Sequence, residues 1–508
     1  MDPISPRLLL AIAACGCSAA AAAQQGVAPA TSLTIYSTVR PRAIPPALYR
    51  SGQVLQPGAV PGYAVVSQNR RILLPGRVST VRLAGVAAAI DPTTVRFKPL
   101  SDPRTRVLEQ GYQFDLASGA TLLRRYLGRS ITVDRARGDH QRAVTGTLLS
   151  TRDGLVLRDE HGNVLLLHSY GDIHFPALPN GLVARPTLVW RLQTDRPGEQ
   201  QAQVSYQTRG MTWWADYNLL YHPGENANAC SLDVGAWVSI VNQSGVGYHQ
   251  ATLKLVAGDV HRANQSDSRI GPRVALEAAK APNQAGFREK PLFEYHLYTL
   301  DRRVDLPDNT SKQMQLFPPI GGVPCRTTLV YEGLTPGYGG GSARPITERN
   351  YGLRASRKVD LYLHFRNDKQ HRLGIPLPAG RVRVSKQDPA DGSPVFIGED
   401  TIDHTPKDED VRINLGSAFD VVGERKQLAF TVDKAGRSME ERIEIKLRNH
   451  KSKPVEVQVK ENLYRWNNWK IVQASHEYRK ADAHTIVFPV RVGKDQEATV
   501  RYTVRYTW

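Results

Sequence analysis

The sequence predicts a mainly β, multidomain protein made of β-sandwiches, a small SH3-like barrel and few helices. Short segments alternate apolar and polar residues, as at 443–447 (IEIKL) and 455–459 (VEVQV). This alternation places one strand face on a core and the other in water. Such segments recur about every ten residues with Gly, Pro and Asp between them, a spacing typical of sandwiches and small barrels. Helical patterns are nearly absent, and the best candidate is the short segment 275–280.

The chain opens with a leader that has the three parts of a secretory signal peptide. A basic start ends at Arg7, an apolar stretch follows, and an Ala-x-Ala cleavage site ends at Ala23. We therefore predict a signal peptide at 1–23 and a periplasmic or extracellular mature chain. A second interpretation competes, because residues 12–15 (IAAC) resemble a lipobox that would place a lipid anchor on Cys15. No later segment reaches the ~18 apolar residues of a membrane helix, so we expect no transmembrane helix.

The composition indicates packed cores and a basic surface. Hydrophobic residues make up 41% and charged residues 22% of the chain, which is typical of globular domains. The formal net charge of +18 favours an anionic partner, such as an envelope glycan or a lipid headgroup. Because export separates the chain from nucleic acid, we expect no nucleic-acid partner. A basic surface without a specific partner is the alternative.

Four β-rich regions follow the leader. We predict an N-terminal β region at 31–120, an SH3-like barrel at 121–180, a sandwich at 186–345 and a C-terminal sandwich at 346–508. The barrel prediction depends on five short apolar strands separated by tight turns. Within the third region, the long polar segment 262–291 predicts an exposed or disordered excursion.

Segments of the second half carry a resemblance to a known family. They are 210–217 (GMTWWADY), 236–242 (AWVSIVN) and 253–259 (LKLVAGD), and the tail adds 440–449, Glu461, Trp469 and the terminal YTVRYTW. Together they resemble an uncharacterised bacterial domain-of-unknown-function family related to the C-terminal domain of mucoidy-inhibitor A-type proteins, over roughly 190–508. The resemblance implies a β-rich fold and an envelope location, and it supplies no catalytic residues. The long coiled coil of some family members has no counterpart in this sequence.

Three aromatic residues, Trp213, Trp214 and Tyr217, form the candidate binding site. Aromatic faces stack on sugar rings, and Trp and Tyr are frequent anchors at binding surfaces. Strand alternation places Trp213 and Tyr217 on one face and Trp214 on the other. Packing of at least one of these faces in a core is the competing interpretation.

Metal and catalytic motifs are weak. The spacing of His161, His168 and His174 matches no zinc motif, so we predict no metal and no cofactor. Acidic clusters at 399–400, 408–410 and 440–441 leave open an envelope enzyme that acts on polysaccharide or peptidoglycan, since such hydrolases need two facing carboxylates. No spacing in the sequence fixes that geometry.

The terminal strand suggests a third hypothesis. Val500, Tyr502, Val504, Tyr506 and Trp508 alternate with polar residues, as in the closing strand of an outer-membrane barrel. An outer-membrane-associated barrel or lipoprotein is therefore an alternative function. The basic charge and the short strands favour an ordinary sandwich strand, because a spanning strand needs about 9–11 residues.

Cys230 and Cys325 are the two cysteines that follow the predicted leader. An oxidising compartment favours a disulfide between them, with two separate buried thiols as the alternative. Taken together, the sequence predicts an exported cell-envelope binding or structural protein, with an anionic glycan as the candidate ligand. The oligomeric state stays open.

Overall fold

The computed structural model describes most of the chain after the leader. The described residues are 30–37, 60–114, 118–137, 140–177, 179, 182–183, 185–225, 228–258, 260, 287–334 and 344–508. The predicted signal peptide, Cys15 and all but the last residues of the predicted excursion at 262–291 lie outside them. Residues 287–291 of that segment belong to a strand.

The mainly β class is confirmed, because strands account for 65% of the structure and helix for 2%. The elements before residue 180 are β1 (Thr31–Tyr36), β2 (Tyr63–Leu74), β3 (Val78–Ala84), β4 (Ile90–Pro99), β5 (Arg106–Gln113), α1 (Gly119–Arg125), β6 (Ser130–Arg137), β7 (His140–Ser150), β8 (Leu155–Arg158), β9 (Val164–Leu167) and β10 (Ile173–His174). The central strands are β11 (Thr187–Gln193), β12 (Gly198–Arg209), β13 (Met211–Pro223), β14 (Ala229–Asn242), β15 (Tyr248–Ala257), β16 (Phe287–Leu292), β17 (Tyr295–Leu300), β18 (Val304–Leu306) and β19 (Thr310–Glu332). The last strands are β20 (Lys358–Arg366), β21 (Gly380–Gln387), β22 (Pro394–Ile402), β23 (Asp410–Asp433), β24 (Ser438–Asn449), β25 (Val455–Asn462), β26 (Trp469–Ala474), β27 (Arg479–Lys480), β28 (Thr485–Val492) and β29 (Gln496–Thr507).

The first sandwich is formed by strands that are far apart in the chain. An eight-stranded sheet has the order β16-β17-β15-β1-β2-β12-β4, with β18 beside β15, and a three-stranded sheet has the order β3-β11-β5. Their apolar faces share one core with β13, β14, the first half of β19 and β20–β23 as far as Ile413. The predicted division between 31–120 and 186–345 is therefore wrong. The parallel pair of β1 with β15 joins these regions, and local alternation does not reveal such a distant partner.

The second sandwich begins later than predicted. Its core runs from Leu329 to Tyr506, and β25 and β28 pack there against β24 and β29. Strands β20 to β22, which the sequence assigned to the C-terminal sandwich, contribute mainly to the first core. The reason is that one 13-stranded sheet runs through both units, and the long strands β19 and β23 cross from one core into the other.

The region predicted as an SH3-like barrel has its own small core. Its members lie within the predicted region 121–180 and include Tyr126, Ile131, Val133, Leu148 and Leu157. Its five strands have the order β10-β6-β7-β8-β9. The closed barrel is wrong, because β10 and β9 lie at opposite edges of an open sheet.

Candidate functional site

The aromatic run of β13 lies inside the first sandwich. Trp213, Trp214 and Tyr217 are only 0%, 2% and 2% exposed. Trp213 and Tyr217 face the main core, where the Tyr217 hydroxyl donates to the carbonyl oxygen of Pro378 at 2.8 Å. Trp214 packs into a separate apolar cluster on the other face. The predicted sugar-stacking platform is wrong, because both faces are covered and the rings stabilise packing instead.

The polar member of the same run forms a buried ion pair. The carboxylate of Asp216 accepts hydrogen bonds from Nη2 of Arg381 at 3.0 Å and from the hydroxyl of Ser239 at 2.5 Å. Asp216 is 2% exposed, so this pair joins β13 to β21 and β14 beneath the surface. A buried carboxylate needs such partners to remain charged, and the arrangement is structural.

The predicted disulfide is confirmed. Cys230 and Cys325 lie opposite each other on the antiparallel strands β14 and β19 and are bonded, with their Cα atoms 4.8 Å apart. The separation lies within the range that a disulfide requires. The bridge links two strands of the first sandwich that are 95 residues apart in the sequence.

The histidines of the small sheet do not converge. His174 forms a pair with Asp134 at 3.3 Å, and both lie at the surface near β6 and β10. Within the described residues, no three His, Cys, Asp or Glu side chains are placed to hold a metal ion.

Most carboxylates of the acidic clusters have other partners. Glu440 forms an exposed pair with Arg505, whereas Glu441 points into the second core and pairs with Arg465 at 3.2 Å. Adjacent strand residues point to opposite faces, so these two carboxylates cannot flank one bond. In the other clusters, Glu399 pairs with Arg383 at 2.9 Å. Asp400 accepts from backbone amides, and Asp410 lies 3.7 Å from Arg366.

A groove lies on the solvent face of the long sheet, where the first sandwich passes into the second. On one side of β19, pairing with β14 ends at Arg326 and pairing with β25 begins at Leu329. A gap therefore lies between the starts of β14 and β25. The groove has a volume of about 550 Å³. We call it the basic groove; the side chains that define it are Arg326, Thr328, His364, Arg412, Glu456, Gln458, Lys460 and Arg479.

The basic groove carries four cationic side chains against one carboxylate, that of Glu456. Lys460 is neutralised by Glu332 of β19, whose Oε1 lies 2.7 Å from its Nζ. The exposed guanidinium groups of Arg326, Arg412 and Arg479 form no ion pair within the described part of the chain. Positive charge is therefore uncompensated at the centre of the groove.

The positive potential of the groove affects the pKa of His364. Its pairing register places Arg326 on one side and Arg412 on the other, each on a neighbouring strand. Burial and the charges of these two arginines lower the pKa of His364 to about 4. The imidazole is therefore neutral near pH 7, and its Nε2 lies 2.8 Å from the hydroxyl of Thr328. A bound anion would offset the repulsion by the two arginines, which is the second cause of the lowered pKa after burial.

Other contacts hold the groove in place. The guanidinium of Arg412 lies 3.6 Å from the ring centroid of Tyr362, which positions its charge on the sheet. The amide of Gln458 donates to Glu456 at 2.7 Å. Because these side chains stand on strands whose opposite faces are buried, their positions are fixed by the two cores.

The sequence did not identify these residues. Arg326, His364, Arg412 and Arg479 occur on four strands, and none belongs to a recognisable motif. The available indication was the alternation on β19, where Arg326 and Thr328 occupy the polar positions. Alternation indicates a solvent face, but it does not reveal which other strands lie beside it.

Comparisons with known proteins do not assign the chain, since no family model, no curated protein and no solved structure matches it. The resemblance to the mucoidy-inhibitor-related family stays a prediction. Where the structure describes the chain, it contains no helix long and apolar enough to cross a membrane.

Proposed function

We propose that this chain is a non-catalytic binding protein of the bacterial cell envelope, and that the basic groove binds the acidic groups of an anionic glycan. The observation that carries the proposal is the uncompensated charge of Arg326, Arg412 and Arg479 around the neutral His364. Clustered exposed cations that lack carboxylate partners create a positive potential, which favours an anion. The single carboxylate of the groove does not supply the pair that a glycosidase needs.

The polar side chains of the groove favour a glycan over a nucleic acid. Thr328, Gln458 and Asn228 offer hydrogen-bond donors and acceptors suited to sugar hydroxyl groups. Glu456 would repel a duplex phosphate backbone, which carries one charge per ~1.7 Å, but it can accept a hydrogen bond from a hydroxyl. A sparsely charged, hydroxyl-rich ligand matches both properties.

The proposed location outside the cytoplasm rests on three observations. The leader has the pattern of a signal peptide, with lipid attachment at Cys15 as the alternative form of export. The Cys230–Cys325 disulfide supports an oxidising compartment. The resemblance to an envelope family points the same way.

Calorimetric titration with hexagalacturonate tests the binding proposal. The double substitution Arg326→Gln and Arg479→Gln should weaken binding about tenfold, because two exposed charge contacts are lost. Affinity should also fall with salt, since exposed charges are screened over ~8 Å at physiological ionic strength.

The matched control is Arg71→Gln with Arg77→Gln, which removes the same charge from exposed positions at β2 and the β2–β3 turn. It should leave affinity within about twofold of the parent protein. Equal weakening by both double variants, or equal binding of a neutral hexasaccharide, contradicts a specific anionic groove. Appearance of shorter oligomers after incubation contradicts a non-catalytic role.

A further inference from the structure

The basic groove continues into two further depressions. Arg326 and His364 also line a neighbouring depression of about 240 Å³, together with Arg366 and His371. These last two residues line a third depression of about 570 Å³, which we call the loop cleft and define by Lys369, His371, Lys407 and Asp408. Each depression shares two lining residues with the next, so the three adjoin one another, and we call them together the track.

The track is long compared with a single sugar. It follows β19 from Val330, in the basic groove, to Pro324, in the middle depression. Six residues of strand at about 3.4 Å each span about 20 Å. The track then passes the end of β20 at Arg366 and enters the loops beyond it.

The middle of the track carries no excess of positive charge. The guanidinium of Arg366 lies 3.1 Å from Asp368 and 3.7 Å from Asp410. Asp368 also pairs with Nδ1 of His371 at 2.5 Å. Two carboxylates thus surround the one guanidinium, so this section adds no free cationic group for a ligand.

Positive charge returns at the far end. Lys369 and Lys407 line the loop cleft, and their ammonium groups form no ion pair with any carboxylate in the parts of the chain that the structure describes. Both loops are fixed by Asn367, whose amide donates to the carbonyl oxygens of Ile375 and Pro406 at 2.7 and 2.8 Å. The two lysines therefore stand on a preorganised surface.

Building on the proposed function, we infer that the ligand is a linear acidic polysaccharide and that one chain occupies the whole track from Arg479 to Lys407. Acidic groups of the polysaccharide bind at the two cationic ends, while the middle section contacts its hydroxyl groups. A small anion would need only the basic groove and would leave the two lysines without a role. A polymer joins both ends in one ligand, so the second contact forms at a high effective concentration.

Chain-length dependence tests the inference, with trimers and dodecamers of galacturonic acid as probes. The double substitution Lys369→Gln and Lys407→Gln should weaken dodecamer binding about fivefold and leave trimer binding unchanged. The substitutions Arg326→Gln and Arg479→Gln should weaken both probes. A dodecamer also binds in more registers than a trimer, but this statistical gain is the same in every variant and cancels in the comparison.

The outcomes separate the two proposals. If the lysine variant binds both probes as the parent does while the arginine variant binds both more weakly, the groove is a local site and the polymer inference is wrong. If the arginine variant also binds as the parent does, the proposed function itself is wrong. Equal or tighter binding of single-stranded DNA of matched length overturns the polysaccharide class, and a preference for anionic lipid vesicles does the same. Circular dichroism of each variant confirms that the strands are retained.

Discussion

The two sandwiches repeat one arrangement of strands, and the first adds a disulfide to it. In the first, β14 pairs with β13 and β19, and β15 pairs with β18; in the second, β24 pairs with β23 and β29, and β25 pairs with β28. Even the parallel pair recurs, since β1 lies beside β15 and β19 beside β25. The chain therefore contains a structural repeat.

One asparagine marks the same place in each repeat. Asn242 ends β14 and donates to the carbonyl oxygens of Val246, Leu306 and Pro307 at 2.9–3.1 Å. Asn449 ends β24 and donates in the same pattern to three carbonyl oxygens, those of Lys453, Val492 and Gly493. In both, the side-chain oxygen accepts a backbone amide two residues later. Each amide ties the turn after its strand to the turn before the final strand.

The interiors differ. Both contain buried ion pairs, such as Asp216–Arg381 in the first, but the first also carries the Cys230–Cys325 bridge. The described part of the second sandwich contains two such pairs. In one, Nε of Arg425 lies 2.9 Å from Glu461, which also accepts the Tyr502 hydroxyl at 2.5 Å. Burial and this carboxylate raise the pKa of Tyr502 well above its ordinary value, so the tyrosine remains a donor. The shared strand order is thus stabilised by buried charge in both units and by a covalent link in the first.

The largest expected effect comes from breaking a buried pair in the second sandwich. Glu461→Gln keeps the side-chain volume and removes the charge that balances Arg425, so the free energy of unfolding should fall by about 3 kcal/mol. Denaturant unfolding measures the change. Glu440→Gln, which breaks the exposed pair with Arg505, is the control and should cost less than about 1 kcal/mol. Equal losses would show that burial does not distinguish the two pairs.

A somewhat smaller effect is expected from the bridge of the first sandwich. The double substitution Cys230→Ser and Cys325→Ser should lower the free energy of unfolding by up to about 3 kcal/mol, because the unfolded chain regains the freedom of a long loop. Hydrogen exchange locates the loss, which should lie in β14 and β19. Weaker protection of the second sandwich alone would refute the assignment of the bridge to the first unit.

The asparagine pair tests the repeat directly. Asn242→Ala and Asn449→Ala each leave backbone carbonyl groups without their donor, so each should cost about 2 kcal/mol. Similar losses of unfolding free energy would support the equivalence of the two positions. A large loss from one substitution and a negligible loss from the other would contradict this equivalence. The control is Asn468→Ala, which removes an exposed side-chain amide.

The smallest effect concerns His364, at the junction of the two sandwiches. Because its pKa in the folded protein is about 4, below the ordinary value near 6.5, the unfolded chain binds the proton more readily between these pH values. Stability should therefore fall as pH decreases through this window. Acid titration followed by NMR should show the imidazole ionising near pH 4, and His364→Gln should remove this contribution.

Ligand binding should reverse the effect on His364. A bound acidic oligosaccharide raises the pKa of the imidazole, so hexagalacturonate affinity should increase, by about threefold, as pH falls from neutral towards 5. An unchanged His364 titration in saturating ligand would place the binding site elsewhere.

Parts of this organisation were predictable from the sequence. Alternation at 443–447 and 455–459 predicted strands that the structure confirms as parts of β24 and β25. The number of cysteines and the predicted compartment indicated the disulfide. The candidate site was wrong. Tryptophan and tyrosine are common both at binding surfaces and in cores, and only the burial of Trp213 and Tyr217 in the structure distinguishes the two roles. The repeat was not recognised, because it is visible in the pairing of distant strands, which local alternation does not reveal.

The sequence by itself determined the class of secondary structure, since alternation and turn residues act over a few neighbouring positions. It also determined the overall basic charge and the residues available for one disulfide. The tertiary structure decided which strands lie side by side. It placed β1 beside β15, continued β19 from one core into the other and brought Arg326, His364 and Arg412 onto adjacent strands. These pairings are contacts between segments that are far apart in the chain, and a pattern of neighbouring residues does not predict them.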